Sequence, residues 1–120
     1  MCETPSEPSE QLSEDELRIR ELNDTLRQTF LGGKVITTEG FNGLPDAIRQ
    51  KAMKAIQQYD GFSEANDPYG IHEFGTVRVE DQDVWFKIDA FDQNMEYGSP
   101  NPADPSVTRR VLTILLSDEY

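Results

Sequence analysis

Ile19, Leu22, Leu26 and Phe30 recur at spacings of three and four, the period that lines one face of an α-helix. Ser13 and Glu16 stand ahead of this stripe in the Ser-x-x-Glu order of a capping box, and Leu12 precedes the cap as a staple onto Leu17. Arg18, Glu21, Asp24 and Arg27 fall between the apolar positions and are expected to face solvent. Gly32-Gly33 supplies the left-handed conformation that ends such a helix. The β-branched run Lys34–Glu39 predicts a strand, and residues 40–43 predict a turn. Pro45 opens a second helix whose stripe runs through Leu44, Ile48, Ala52, Ala55, Ile56 and Tyr59 before Gly61.

Residues 61–73 gather Asn, Asp, Pro and Gly and predict a long surface loop, a length that in compact domains is often functional. Apolar and polar residues then alternate from Phe74 to Glu80 and from Val84 to Phe91. Period two on both sides of Glu80-Asp81-Gln82-Asp83 predicts a β-hairpin with an acidic turn. Val84, Phe86, Ile88 and Ala90 share one face of the second strand; Trp85, Lys87, Asp89 and Phe91 share the other. Aromatic surface on both faces predicts a central strand. Pro100, Pro102 and Pro105 make residues 92–106 a second loop. Arg109–Ser117 reads as strand or short helix, with Val111, Thr113 and Ile114 favouring strand. The expected fold is α+β: a two-layer single domain over residues 12–120, with two helices packed on a mainly antiparallel sheet of about four strands.

Charge changes the picture more than composition does. The chain of 120 residues carries a formal net charge of −12. Residues 1–54 hold ten acidic and seven basic side chains, whereas residues 55–108 hold eleven acidic ones against Arg78 and Lys87 alone. Direct nucleic-acid binding needs a basic face and is not expected; a basic surface on another protein is the natural partner. Residues 1–11, rich in Pro, Ser and Glu, predict a flexible acidic tail. No apolar run approaches the ~20 residues of a membrane helix, and the first residues lack the basic and apolar segments of a secretory signal. The expectation is a soluble cytoplasmic protein. Cys2 has no second cysteine to pair with and no neighbour that would lower its pKa.

No motif carries recognisable catalytic chemistry. Asp67, His72, Glu73, Asp89 and Asp92 are residue types that bind divalent metal or move protons, but their spacing matches no metal motif, and an Asp before Pro commonly caps a turn. A small metal-assisted enzyme using Asp67, His72, Glu73 and Asp89 is therefore the alternative, and no cofactor or metal is expected. No serine sits in a Gly-x-Ser-x-Gly elbow. Gly32-Gly33-Lys34 lacks the spacing of a phosphate loop. Arg109 and Arg110 are expected to pair with nearby carboxylates as surface ion pairs. Asp60, Glu64, Asp67, Glu73, Glu80, Asp81 and Asp83 are the candidate partner-binding residues, grouped on one loop and the adjoining turn.

Several stretches taken together resemble one bacterial family. They are Ile19–Asp24, Asn66–Gly70 with His72–Gly75, Trp85–Asp89, and Pro102–Pro105 with Thr108–Thr113. Over residues 17–120 they are similar to the family catalogued as domain of unknown function 3768. The resemblance implies a bacterial cytoplasmic setting and a family frequent in alphaproteobacterial genomes and on mobile elements; it carries over no catalytic residue. With the charge, it leads to an expected function: a non-enzymatic inhibitor of the anti-CRISPR or anti-restriction type, which binds a nucleic-acid-processing complex in place of nucleic acid. A housekeeping interaction module is the remaining possibility.

Overall fold

The computed structural model describes residues 12–120; the expectation about residues 1–11 lies outside them. Helix α1 spans Glu14–Thr29 and begins with the expected capping box. Ser13 Oγ accepts from the Glu16 N–H at 3.1 Å, and Glu16 Oε1 accepts from the Ser13 N–H at 2.9 Å. The helix ends earlier than the glycines predict. Phe30 itself adopts the left-handed conformation (φ 60°) and donates its N–H to Leu26 O. Gly33 is needed for a different reason: a Cβ there would lie 2.6 Å from Arg110 O, where the chain enters β1 (Lys34–Thr37) against β4 (Arg109–Leu116).

Residues expected to form a plain turn instead form a single helical turn, α2 (Glu39–Asn42), capped by Thr38 Oγ1 and burying Phe41 completely. Helix α3 (Asp46–Gln57) follows, with Pro45 one position ahead of it. The hairpin pairs β2 (Phe74–Val79) with β3 (Gln82–Phe91). Its turn is only Glu80-Asp81, so Gln82 and Asp83 belong to β3 and Asp83 stands opposite Arg78.

The sheet order is β1-β4-β3-β2. β4 pairs antiparallel with β3 and parallel with β1, giving one parallel pair in an otherwise antiparallel sheet. The expected two-layer α+β fold and the central position of β3 are both present, and Arg109–Leu116 is a strand. Register sets Phe86 beside Ile114 and Ile88 beside Leu112 on the face that meets the helices. There they join Leu26, Phe41, Ala52, Ile56 and Val84 in one core. Each of these side chains larger than Ala52 contributes about 1.5–3 kcal/mol through its burial. On the other face Trp85 packs edge-on against Phe74 at 5.3 Å and, tilted, against Tyr120 at 4.8 Å between ring centroids.

Candidate functional site

Arg20, Asn23, Asp24 and Arg27 lie at i, i+3, i+4 and i+7 on α1, which places all four on one side of the helix. That side faces the loop between α3 and β2. Arg20 Nε donates to Gly70 O at 2.6 Å, and Asn23 Nδ2 donates to Ile71 O at 2.9 Å. Arg27 donates to Ile56 O, Gln57 O and Tyr59 O at 3.0–3.3 Å, binding carbonyls at and just beyond the end of α3, where helical partners run out; Ile56 O also accepts from the Tyr59 N–H. The expectation that Asp24 and Arg27 face solvent is thus corrected. Arg27 is only 2% exposed; its charge is matched by Asp24 Oδ1 at 3.0 Å and its guanidinium lies 5.3 Å from the centre of the Phe62 ring.

The only histidine closes this network. His72 Nδ1 meets Asp24 Oδ1 at 2.8 Å, and Nε2 faces Asp67 Oδ2 at 3.7 Å. Its ring lies flat on Phe62, 3.9 Å between centroids. The backbone at His72 is left-handed (φ 60°), a conformation uncommon outside glycine, and its N–H is held by both Asp67 carboxylate oxygens at 3.3 Å. Burial alone would raise the Asp24 pKa, but hydrogen bonds and charge from His72 and Arg27 outweigh it and hold the carboxyl below its ordinary range. The Tyr59 hydroxyl is pushed up, by burial first and then by Asp67. A cleft of about 220 Å³ opens between Arg20, Phe62, Glu64, Asp67 and His72.

The four residues of the enzyme alternative do not share one site. Asp67 and His72 line that cleft, whereas Glu73 and Asp89 line another, of about 250 Å³, beside Asn23 and Arg110. Among the described residues no three of His, Cys, Asp or Glu are grouped as a metal ion would need. Both ring nitrogens of His72 face carboxylates, Nδ1 within hydrogen-bond distance of Asp24 and Nε2 beyond it from Asp67. The Glu73 carboxyl is pushed up by burial, then by Asp67 and Asp89. Asp92 accepts from the Glu96 N–H and shapes its own loop.

The candidate partner-binding residues separate into three groups. Asp67 is 7% exposed and Glu73 is half-buried. Glu80 is exposed but bound to Lys51 at 3.0 Å, and Asp83 is bound to Arg78 at 2.7 Å. Asp60, Glu64 and Asp81 are exposed and have no cation within ion-pair distance among the described residues.

Arg109 and Arg110 do not pair with carboxylates as expected. Arg110 is buried, donating to Asn23 Oδ1 at 2.6 Å and to Pro102 O at 2.8 Å, and burial lowers its pKa. Arg109 is exposed and outside every ion pair of the described residues.

The α1 stripe is the feature sequence reasoning missed. Its signal was present as a polar repeat at helical spacing, in register with the apolar one.

The molecule is a single α+β domain whose first helix clamps a long loop through polar contacts. It belongs to the family described as "Protein of unknown function (DUF3768)", whose model matches residues 37–119. The match leaves α1 outside, so Arg20, Asn23, Asp24 and Arg27 lie beyond the matched stretch while His72, Asp67 and Arg110 lie within it. No curated protein and no solved structure matches the chain. Among the described residues no helix is long and apolar enough to cross a membrane.

Proposed function

We propose that the protein is a non-enzymatic bacterial inhibitor of the cytoplasm that binds the basic nucleic-acid groove of a CRISPR or restriction complex. The observation that supports this reading is the placement of the exposed carboxylates that have no cation partner among the described residues. Asp60 and Glu64 belong to the loop that leads into β2, and Asp81 to the turn that leaves it, so they flank in sequence an edge strand whose six residues span about 20 Å. Ile88 N–H donates to Glu73 O, and antiparallel bonding alternates from there. The main-chain groups of Phe74, Thr76 and Arg78 therefore point away from β3, along the free edge. A basic groove evolved to hold phosphates would meet negative charge on the segments that flank this edge in sequence, and hydrogen-bonding groups along the edge itself. Charge complementarity of this kind speeds encounter and selects partners. The resemblance to a family frequent on mobile elements supports the same reading, because such elements meet host defence systems.

The experiment is phage plating on bacteria that carry a defined CRISPR or restriction system, with and without the protein, followed by competition with DNA for the purified effector. Restored plating and displacement of DNA are the expected results. Unchanged plating across representative systems of both kinds would refute the assignment.

A further inference from the structure

In a chain this acidic, the entrance between β1 and β4 concentrates the opposite charge. Gly32, Gly33 and Lys34 on one side, and Thr108, Arg109 and Val111 on the other, line a cleft of about 380 Å³ that Met95 also borders. The sheet explains why the two exposed cations lie together. Lys34 is the register partner of Val111, and Arg109 is two residues before Val111 on the same strand. Paired residues share a face and alternate residues return to it, so Lys34, Arg109 and Val111 all stand on the sheet face away from the helices.

Lys34 and Arg109 enter no ion pair among the described residues. Asp89, the β3 residue opposite Val111 on this face, is bound to Lys87 at 3.2 Å. Arg110 adds a third positive charge from the other side of the strand. Its hydrogen-bond partners, Asn23 Oδ1 and Pro102 O, are neutral, and an arginine keeps its proton in proteins. The fourth side is apolar. Met95 is held with φ 61° by its N–H bond to Asp92 O, and it is 43% exposed. Methionine adapts its shape to ligand surfaces.

We infer that this cleft binds a small phosphate monoester carrying a flat apolar group, of the size of a nucleoside monophosphate. A planar guanidinium fork beside a lysine point charge suits a phosphate dianion. The volume falls within the range of small-molecule sites, and the exposed Met95 offers an apolar wall for the organic group. This site lies at the opposite edge of the sheet from the carboxylates around β2, and it stands whether or not those carboxylates bind an effector.

The test is an amide chemical-shift titration of the full chain with AMP, adenosine, inorganic phosphate and a 5′-phosphorylated DNA ten-mer. AMP is expected to shift residues 31–34, 95 and 108–111. Adenosine should bind at least about tenfold more weakly, and Lys34→Ala and Arg109→Ala should each weaken AMP about tenfold, the effect of losing one charge-assisted bond. Both side chains are exposed, so thermal melts of these variants should match that of the parent. No shift in these residues with millimolar AMP would overturn the proposal, as would AMP binding that survives the Lys34→Ala/Arg109→Ala double substitution. Tighter binding of the ten-mer than of AMP would overturn the small-molecule assignment.

Discussion

Asn23 Oδ1 accepts from Arg110 Nε at 2.6 Å, joining the first helix to the last strand across 87 positions of sequence. The same asparagine gives its Nδ2 hydrogen to Ile71 O, so one buried amide fixes β4 and the long loop relative to α1. Arg110 has no other side-chain acceptor among the described residues. Its charge therefore depends on this contact and on Pro102 O.

Asn23→Ala leaves the buried guanidinium short of an acceptor, and the expected loss is about 2–3 kcal/mol. Arg110→Met removes the buried charge and leaves the neutral Asn23 Oδ1 short of its donor, a smaller penalty than that of an unsatisfied charged group. Urea denaturation should rank Asn23→Ala as the more damaging of the two. The reverse order would mean that Arg110 stabilises the fold by packing and charge rather than depending on Asn23.

Gly75 lies opposite Phe86 in the hairpin. A Cβ built there would sit 2.5 Å from the Phe86 ring, while one built on Gly98 meets nothing within 4 Å. Gly75→Ala should lower stability by about 1–3 kcal/mol, the cost of overpacking a core, and Gly98→Ala should change it by less than about 0.5 kcal/mol. Paired thermal melts check the contrast.

Two carboxyls give opposite pH signatures. Asp24 titrates below its ordinary 3.8 in the folded chain, so its contribution is present above that value and is lost as pH falls through the lower folded pKa. Asp24→Asn should cost about 1–2 kcal/mol at neutral pH and progressively less in acid. Glu73 titrates above its ordinary 4.5. Ionising it in the fold is penalised, and that penalty develops as pH rises from 4.5 towards the raised value and persists above it. Glu73→Gln should therefore stabilise the protein at pH 7, with the gain fading as pH falls through 4.5. Melting temperatures of both variants from pH 3 to 7 would decide; a gain from Glu73→Gln that is the same at pH 3 and pH 7 would contradict the assigned cause.

The parts of this fold legible in the sequence are those written as a period. Val84, Phe86 and Ile88 alternate, and they do form the core face of a central strand. Ser13 and Glu16 announce a helix start that is present atom for atom. The parallel pairing of β1 with β4 was not legible, because Lys34–Thr37 is short and its partner lies 77 positions away (Lys34 to Val111). Arg27 reads as solvent-facing because it is charged; what buries it is a set of carbonyls at the end of α3, and carbonyls leave no mark in side-chain sequence. The junction of Asp24 with His72 likewise depends on a 48-residue separation that only the fold closes. The acidic candidates were identifiable as a group, but the cations that take up Glu80 and Asp83 come from α3 and from the opposite strand.

That division determines how the acidic surface is tested. Reversing Glu80 or Asp83 would set a lysine against Lys51 or Arg78, so lost stability and lost binding would be confounded. Asp60, Glu64 and Asp81 are exposed and carry no ion pair among the described residues. Changing these three to Lys should leave stability within about 0.5 kcal/mol per site. If these carboxylates meet a basic groove, the triple variant should associate with the effector at least about tenfold more slowly at low salt, since electrostatic steering acts mainly on the association rate. Raising the salt from 50 to 500 mM should slow the parent and narrow the difference, because the screening length falls to a few ångströms over that range. The measurement is the association rate of both proteins with the effector found by the plating assay, across the salt series. A parent rate insensitive to salt, equalled by that of the triple variant, would reduce these carboxylates to a solubility role and leave the main-chain edge of β2 as the surface to test next.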